Sequence, residues 1–64
     1  MTDAPIYRIG ARRDKQASLR ADGQWFLRLL NPAGHWGRWL PCEPNIRPVG
    51  AWYDPAARRA RLPK

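Results

Sequence analysis

"DGQWFLRLLNPAGHWGRWLP", residues Asp22 to Pro41, carries three of the four tryptophans of a 64-residue chain. Its two turn signals decide the fold. Asp22-Gly23 is the dipeptide of a two-residue type I′ hairpin, which needs positive φ at both central positions. "NPAG" supplies the second turn. Asn31 starts it, Pro32 presets φ, and Gly34 takes the left-handed position that closes a three-residue loop. Three antiparallel strands are expected, at about residues 16–21, 24–30 and 35–40.

Those turns set a register. The first pairs Ala21 with Gln24, so Arg20 faces Trp25, Leu19 faces Phe26 and Ser18 faces Leu27. The second pairs Asn31 with His35, so Leu30 faces Trp36, Arg28 faces Arg38 and Leu27 faces Trp39. Opposed residues share a face, and neighbours along a strand alternate. One face then carries Trp25, Leu27, Leu29 and Trp39, and reads as the core. The other carries Leu19, Phe26, Arg28, Leu30, Trp36, Arg38 and Leu40, and reads as an exposed aromatic–arginine platform. An alternative buries both faces in a small barrel, beneath Tyr7 and Ile9 on one side and Trp52 and Tyr53 on the other.

Outward from this stretch the signals weaken. "MTDAP" (1–5) reads as a flexible polar arm. "IYRI" (6–9) alternates like a strand that Gly10 ends or bulges, and "RRDK" as a polar connection. "PCEPNIRP" (41–48) has three prolines and is not a central strand. "VGAWY" (49–53) fits a short edge strand. "DPAARRARLP" (54–63) has two readings: a short helix capped by Asp54 with Pro55 at its first position, or another hairpin. The helix is slightly favoured. The expected fold is one mainly β domain over residues 1–64. It has an arm (1–5), a β-rich core (6–53) and a basic C-terminal helix, hairpin or tail (54–64). Its core is a small antiparallel meander or an SH3-like, partly closed barrel.

Composition narrows the function. Twelve basic residues against five acidic ones give a net charge of +7. Such an excess suits a polyanion: nucleic acid, DNA or RNA, or an acidic protein surface. Ten of the twelve are arginine, whose planar fork binds phosphate and stacks on rings. Cys42 is the single cysteine, so no intrachain disulfide forms and a cysteine-based zinc site lacks ligands. A cytoplasmic setting is the default expectation. No apolar run approaches the roughly 18–20 residues that span a bilayer, and no membrane partner is expected.

Catalytic signals are absent from the sequence pattern. His35 abuts a turn without a nearby acid or nucleophile. The acids Asp3, Asp14, Asp22, Glu43 and Asp54 are scattered, and "NPAGHWG" lacks the lysine and following helix of a phosphate loop. No enzyme, cofactor or metal is expected. The candidate contact residues are Phe26, Arg28, Trp36 and Arg38 on the platform, with Arg58 and Arg61 in the basic tail "ARRARLPK". Bases stack on rings and arginines take phosphates.

The turn and aromatic spacing of "ADGQWFLRLLNPAGHWGRWL", within residues 17–41, resembles the three-stranded arm-site DNA-binding module at the start of tyrosine recombinases. Many β-meanders share that spacing. The resemblance implies a sheet that reads a DNA groove. The long helix that follows such a sheet has at most the few residues from Asp54 as its counterpart. The expected function is a small basic nucleic-acid-binding module, of the kind a phage or mobile element uses as an accessory. The alternative is a protein-binding module, an inhibitor or small subunit, using the same face.

Overall fold

A computed structural model describes residues 2–63. It is all-β and antiparallel. The seven strands are β1 (Thr2–Ala4), β2 (Ile6–Ile9), β3 (Arg12–Leu19), β4 (Trp25–Leu29), β5 (Leu40–Pro41), β6 (Ala51–Tyr53) and β7 (Ala60–Leu62). β1 and β7 form a two-stranded sheet. The other five form a sheet in the order β5-β4-β3-β2-β6. The large sheet is open, with β5 and β6 at its edges. Among the described residues there is no helix, hence none long and apolar enough to cross a membrane.

The first hairpin corrects the expected turn. The Arg20 amide donates to the Gln24 carbonyl at 2.9 Å, and the Gly23 amide to the Arg20 carbonyl at 2.9 Å. The loop is therefore three residues, Ala21-Asp22-Gly23. Only Gly23 takes positive φ, at 94°. Glycine has no Cβ to clash there, whereas a type I′ turn would force Asp22 into the same region. Asp22 instead accepts the Gln24 amide through Oδ1 and grips the Arg20 guanidinium with both oxygens. The pairing that results is Leu19 with Trp25, Ser18 with Phe26, Ala17 with Leu27 and Gln16 with Arg28. It lies one residue from the expected register, and one residue turns every side chain of β3 to the opposite face.

The second hairpin forms as expected at its turn. The Gly34 amide donates to the Asn31 carbonyl, Gly34 has φ 85°, and Leu30 bridges Trp36. Beyond the bridge the ladder slips, and Leu27 pairs with Leu40 and Phe26 with Pro41. Between the two registers Arg38 and Trp39 share the place opposite Arg28, the two-against-one pattern of a bulge. The bulge removes the expected opposition of two arginines, which like-charge repulsion disfavours. Residues 37–39 make no strand, and the expected third strand shrinks to Leu40–Pro41.

These slips change the expected core: Trp39 packs against it as expected, while Phe26 takes the place expected for Trp25. Ala4, Ile6, Phe26, Ala60 and Leu62 form the buried cluster, with Trp39 and Ala57 packed on it. The core face of the large sheet thus carries Ile6, Ser18 and Phe26, covered by the β1–β7 sheet. Ser18 is fully buried, and its Oγ donates to the Pro5 carbonyl at 2.7 Å. Pro5 has no amide hydrogen to extend a ladder, and it marks the break between β1 and β2.

Both ends of the chain differ from expectation. Thr2–Ala4, within the expected arm, pairs with β7 in the register Thr2–Leu62, Asp3–Arg61 and Ala4–Ala60. After Asp54 there is a turn and then strand β7, with no helix. The turn closes from the Ala57 amide to the Asp54 carbonyl, and Asp54 Oδ1 accepts the Ala56 amide. Alternation decides against the helix. Ala60 and Leu62 both reach the core from a strand, a period of two that a helix cannot supply.

Candidate functional site

Phe26 stands first among the expected contact residues, and it is only 2% exposed. It sits in the core, with the Arg20 guanidinium 5.1 Å from its ring centroid, and offers no face for stacking. Arg28 and Trp36 do meet on the core face, in a different arrangement from the one expected. The Arg28 guanidinium carbon lies 4.7 Å from the Trp36 ring centroid and 4.6 Å from that of Trp39. Its Nε and Nη2 both donate to Gln16 Oε1, at 2.9 and 2.7 Å. Partial burial pulls its pKa down from the ordinary arginine range, which leaves it charged. Arg28 is thus held by two rings and an amide, and among the described residues its Nη1 has no hydrogen-bond partner.

Arg38, Arg58 and Arg61 are exposed, and among the described residues their side chains form no hydrogen bond, ion pair or cation–π contact with this cluster. Arg38 is carried out of the ladder by the bulge. Arg61 alternates with Ala60 and Leu62, so it points away from the core, opposite Asp3. Arg58 lies between the Asp54 turn and β7.

A different set of residues does come together. The register pairs Arg8 with both Gln16 and Trp52, and Gln16 with Arg28. Trp52, Arg8, Gln16 and Arg28 therefore form one row across β6, β2, β3 and β4, all on the core face. The row ends against Trp36 and Trp39. It lies one same-face step, about 7 Å, along the strands from the covered row Ile6–Ser18–Phe26. Trp52 is 63% exposed, and Arg8 is exposed. Of the acids two residues from a row member, Asp14 is bound to Arg12 at 3.0 Å and Asp54 accepts the Ala56 amide, and among the described residues Arg8 forms no ion pair.

Sequence reasoning missed Arg8, Gln16 and Trp52. The alternation of "IYRI" already puts Ile6 and Arg8 on one side. What it lacks is the pairing of β2 with β6. That pairing joins distant parts of the chain and has no local turn signal.

The opposite face is occupied by the chain itself. Residues 42–50 cross it from β5 to β6. Arg47 stacks over Tyr7 and Trp25, at 5.5 and 5.9 Å from their centroids, and donates to the Ala51 carbonyl. Trp25, expected in the core, is half-buried there, with its ring edge-on to Tyr7 at 5.1 Å. Asn45 pins the crossing segment. Its Oδ1 accepts the Trp25 amide at 2.7 Å, and its Nδ2 donates to the Gly23 carbonyl at 3.1 Å. An open apolar groove of about 540 Å³ remains between Leu27, Leu29 and Leu40 on the sheet and Pro44, Ile46 and Pro48 above it. Cys42 lines this groove, and burial pushes its thiol pKa up, away from reactivity.

The chain matches no protein-family model, no curated protein and no solved structure.

Proposed function

We propose that the chain is a small basic nucleic-acid-binding module that contacts its partner through the row Trp52–Arg8–Gln16–Arg28–Trp36. The observation that carries this reading is one row with a ring at each end and two guanidinium groups between, open at Trp52 and Arg8, with no carboxylate paired to Arg8 among the described residues. A base stacks on a ring, worth about 1–3 kcal/mol per stack, and a guanidinium donates to a phosphate. The net charge of +7 draws a polyanion in, which raises the encounter rate whatever the final contacts. Binding, with no catalysis and no cofactor, in a reducing cytoplasmic setting, completes the reading.

The row replaces the platform expected from the sequence. Arg28 and Trp36 are kept, Arg8, Gln16 and Trp52 are added, and Phe26 is removed. Arg38, Arg58 and Arg61 contribute to the general positive field.

The test is binding of labelled mixed-sequence oligonucleotides at about 0.05 M salt, followed by fluorescence anisotropy of the label, for the parent and for Arg8→Gln/Trp52→Ala. The expected result is binding by the parent, a loss of at least about tenfold in the double variant, and an unchanged fold by circular dichroism. No binding by the parent would replace this reading with an acidic protein partner for the same row. Equal binding by parent and variant would move the site off the row.

A further inference from the structure

We infer that the row takes single-stranded nucleic acid, ribo- or deoxyribo-, in preference to a duplex. This rests on the nucleic-acid reading above and sharpens it. In a duplex the base faces are covered by stacking, and a protein meets phosphates and base edges. Exposed rings find flat partners only where bases are unstacked.

Three features of the row bear on that choice. Its largest exposed group is an indole ring, Trp52, with a polar atom only at its edge. The row is also a floor. The β1–β7 sheet packs over the adjoining positions Ile6 and Phe26, so a ligand must lie on the sheet beside that step. A recognition helix or ribbon enters a major groove because it protrudes; this row does not. Finally, from β6 to β4 the row crosses three inter-strand spacings, about 14 Å. Four-stranded sheets that bind single strands stack two or three bases over a comparable width.

Gln16 fits the same picture. Arg28 is donor-only, so the atom turned to it must be the carbonyl oxygen. The amide nitrogen is left to donate to the edge of a base lying between the two arginines. That edge is free in a single strand and paired in a duplex.

The experiment compares labelled oligothymidylate and oligouridylate of about ten nucleotides with a mixed duplex of about ten base pairs, at about 0.1 M salt. The single strands are expected to bind at least about tenfold more tightly. Trp52→Ala is expected to weaken them by roughly 5- to 150-fold, the range of one base–ring stack. It should change duplex binding less than about twofold, and its amide NMR spectrum should match the parent's away from β6. Either order of oligouridylate and oligothymidylate supports the inference, and oligodeoxyuridylate, which differs from oligouridylate in the sugar alone, assigns the preferred form. Duplex binding as tight as single-strand binding, or an equal loss on both ligands in Trp52→Ala, overturns it while the nucleic-acid reading stands. Absence of binding to all of these probes overturns both.

Discussion

Replacing Phe26 by leucine tests the face assignment on which the row depends. Phe26 is 2% exposed and belongs to the cluster of Ala4, Ile6, Ala60 and Leu62. The change removes about three buried carbons, at about 0.8 kcal/mol each, so the cost is about 2 kcal/mol. A domain of this size has about 3–10 kcal/mol in all, so the variant folds but is visibly weakened. With a urea dependence of about 1 kcal/mol/M, the unfolding midpoint falls by about 2 M. Trp52 is 63% exposed. Trp52→Leu therefore stays within about 0.5 kcal/mol of the parent. Trp25→Leu falls between them, because its ring packs on Tyr7 and beneath Arg47. Urea titration followed by circular dichroism at one protein concentration reads all three. If Trp52→Leu costs as much as Phe26→Leu, the row is not open. If Phe26→Leu is silent and Trp25→Leu unfolds the chain, the register is the one expected from a two-residue turn, and the site is lost with it.

At Gly34 the φ is 85°, and an added Cβ meets nothing within 4 Å. Gly34→Ala should therefore cost about 1–2 kcal/mol, all of it backbone strain. Gly34→Asn should recover part of that loss in thermal melts. Arg28→Lys should lower stability by about 1–2 kcal/mol and red-shift the tryptophan emission. An ammonium cannot reproduce the paired bonds to Gln16 or the flat contact with two indoles. Stability should hold from neutral pH down to the ordinary carboxylate range and fall below it. The Arg20 hydrogen bond, with that of the Gln24 amide, depresses the Asp22 pKa, and the Arg12 hydrogen bond depresses that of Asp14. A depressed folded pKa gives stability that is present above the unfolded value and lost as pH falls through the folded one. Asp22→Asn should flatten that decline in urea midpoints measured against pH.

How much of this was legible in the sequence depends on how local each signal is. The Asn31–Gly34 turn was legible because Pro32 and Gly34 each fix a backbone angle. The β6 edge strand was legible from its aromatic residues and flanking turn residues. Asp22-Gly23 misled because the dipeptide serves both a two-residue turn and a three-residue loop ending in glycine. The choice between them falls to Arg20 and Gln24 outside the pair. The bulge at Arg38–Trp39 has no local signature. Its advantage is tertiary, placing Trp39 against both the core and Arg28. The β1–β7 pairing joins the two ends of the chain, and the sequence near Asp54 supports a helix about as well as a strand until Thr2–Ala4 is there to pair with it. The one-residue slips moved residues between faces: Phe26, expected on the open face, is buried, and Trp25, expected in the core, is half-buried on the other side.

The arginines themselves predict how binding should depend on salt. Four of the ten serve the fold. Arg12 and Arg20 pair with Asp14 and Asp22, Arg28 contacts Trp36 and Trp39, and Arg47 covers Tyr7 and Trp25. A fifth, Arg59, donates to the Asp3 carbonyl. The stacked positions need a planar cation, which gives a structural reason for arginine over lysine there. Of those that remain, only Arg8 stands on the row, and Arg28 adds the free end of its guanidinium. Two neutralised phosphates give a log–log salt slope of about −1.4 on a single strand, at about −0.7 per phosphate. Arg8→Gln should make the slope shallower by about 0.7, and Arg13→Gln should leave it unchanged. The measurement is the binding constant of one oligonucleotide across a series of salt concentrations. A parent slope near about −4 would require Arg13, Arg38, Arg58 and Arg61 to take phosphates as well. The contact surface would then wrap around the domain, and the row would be one part of it and no longer the site.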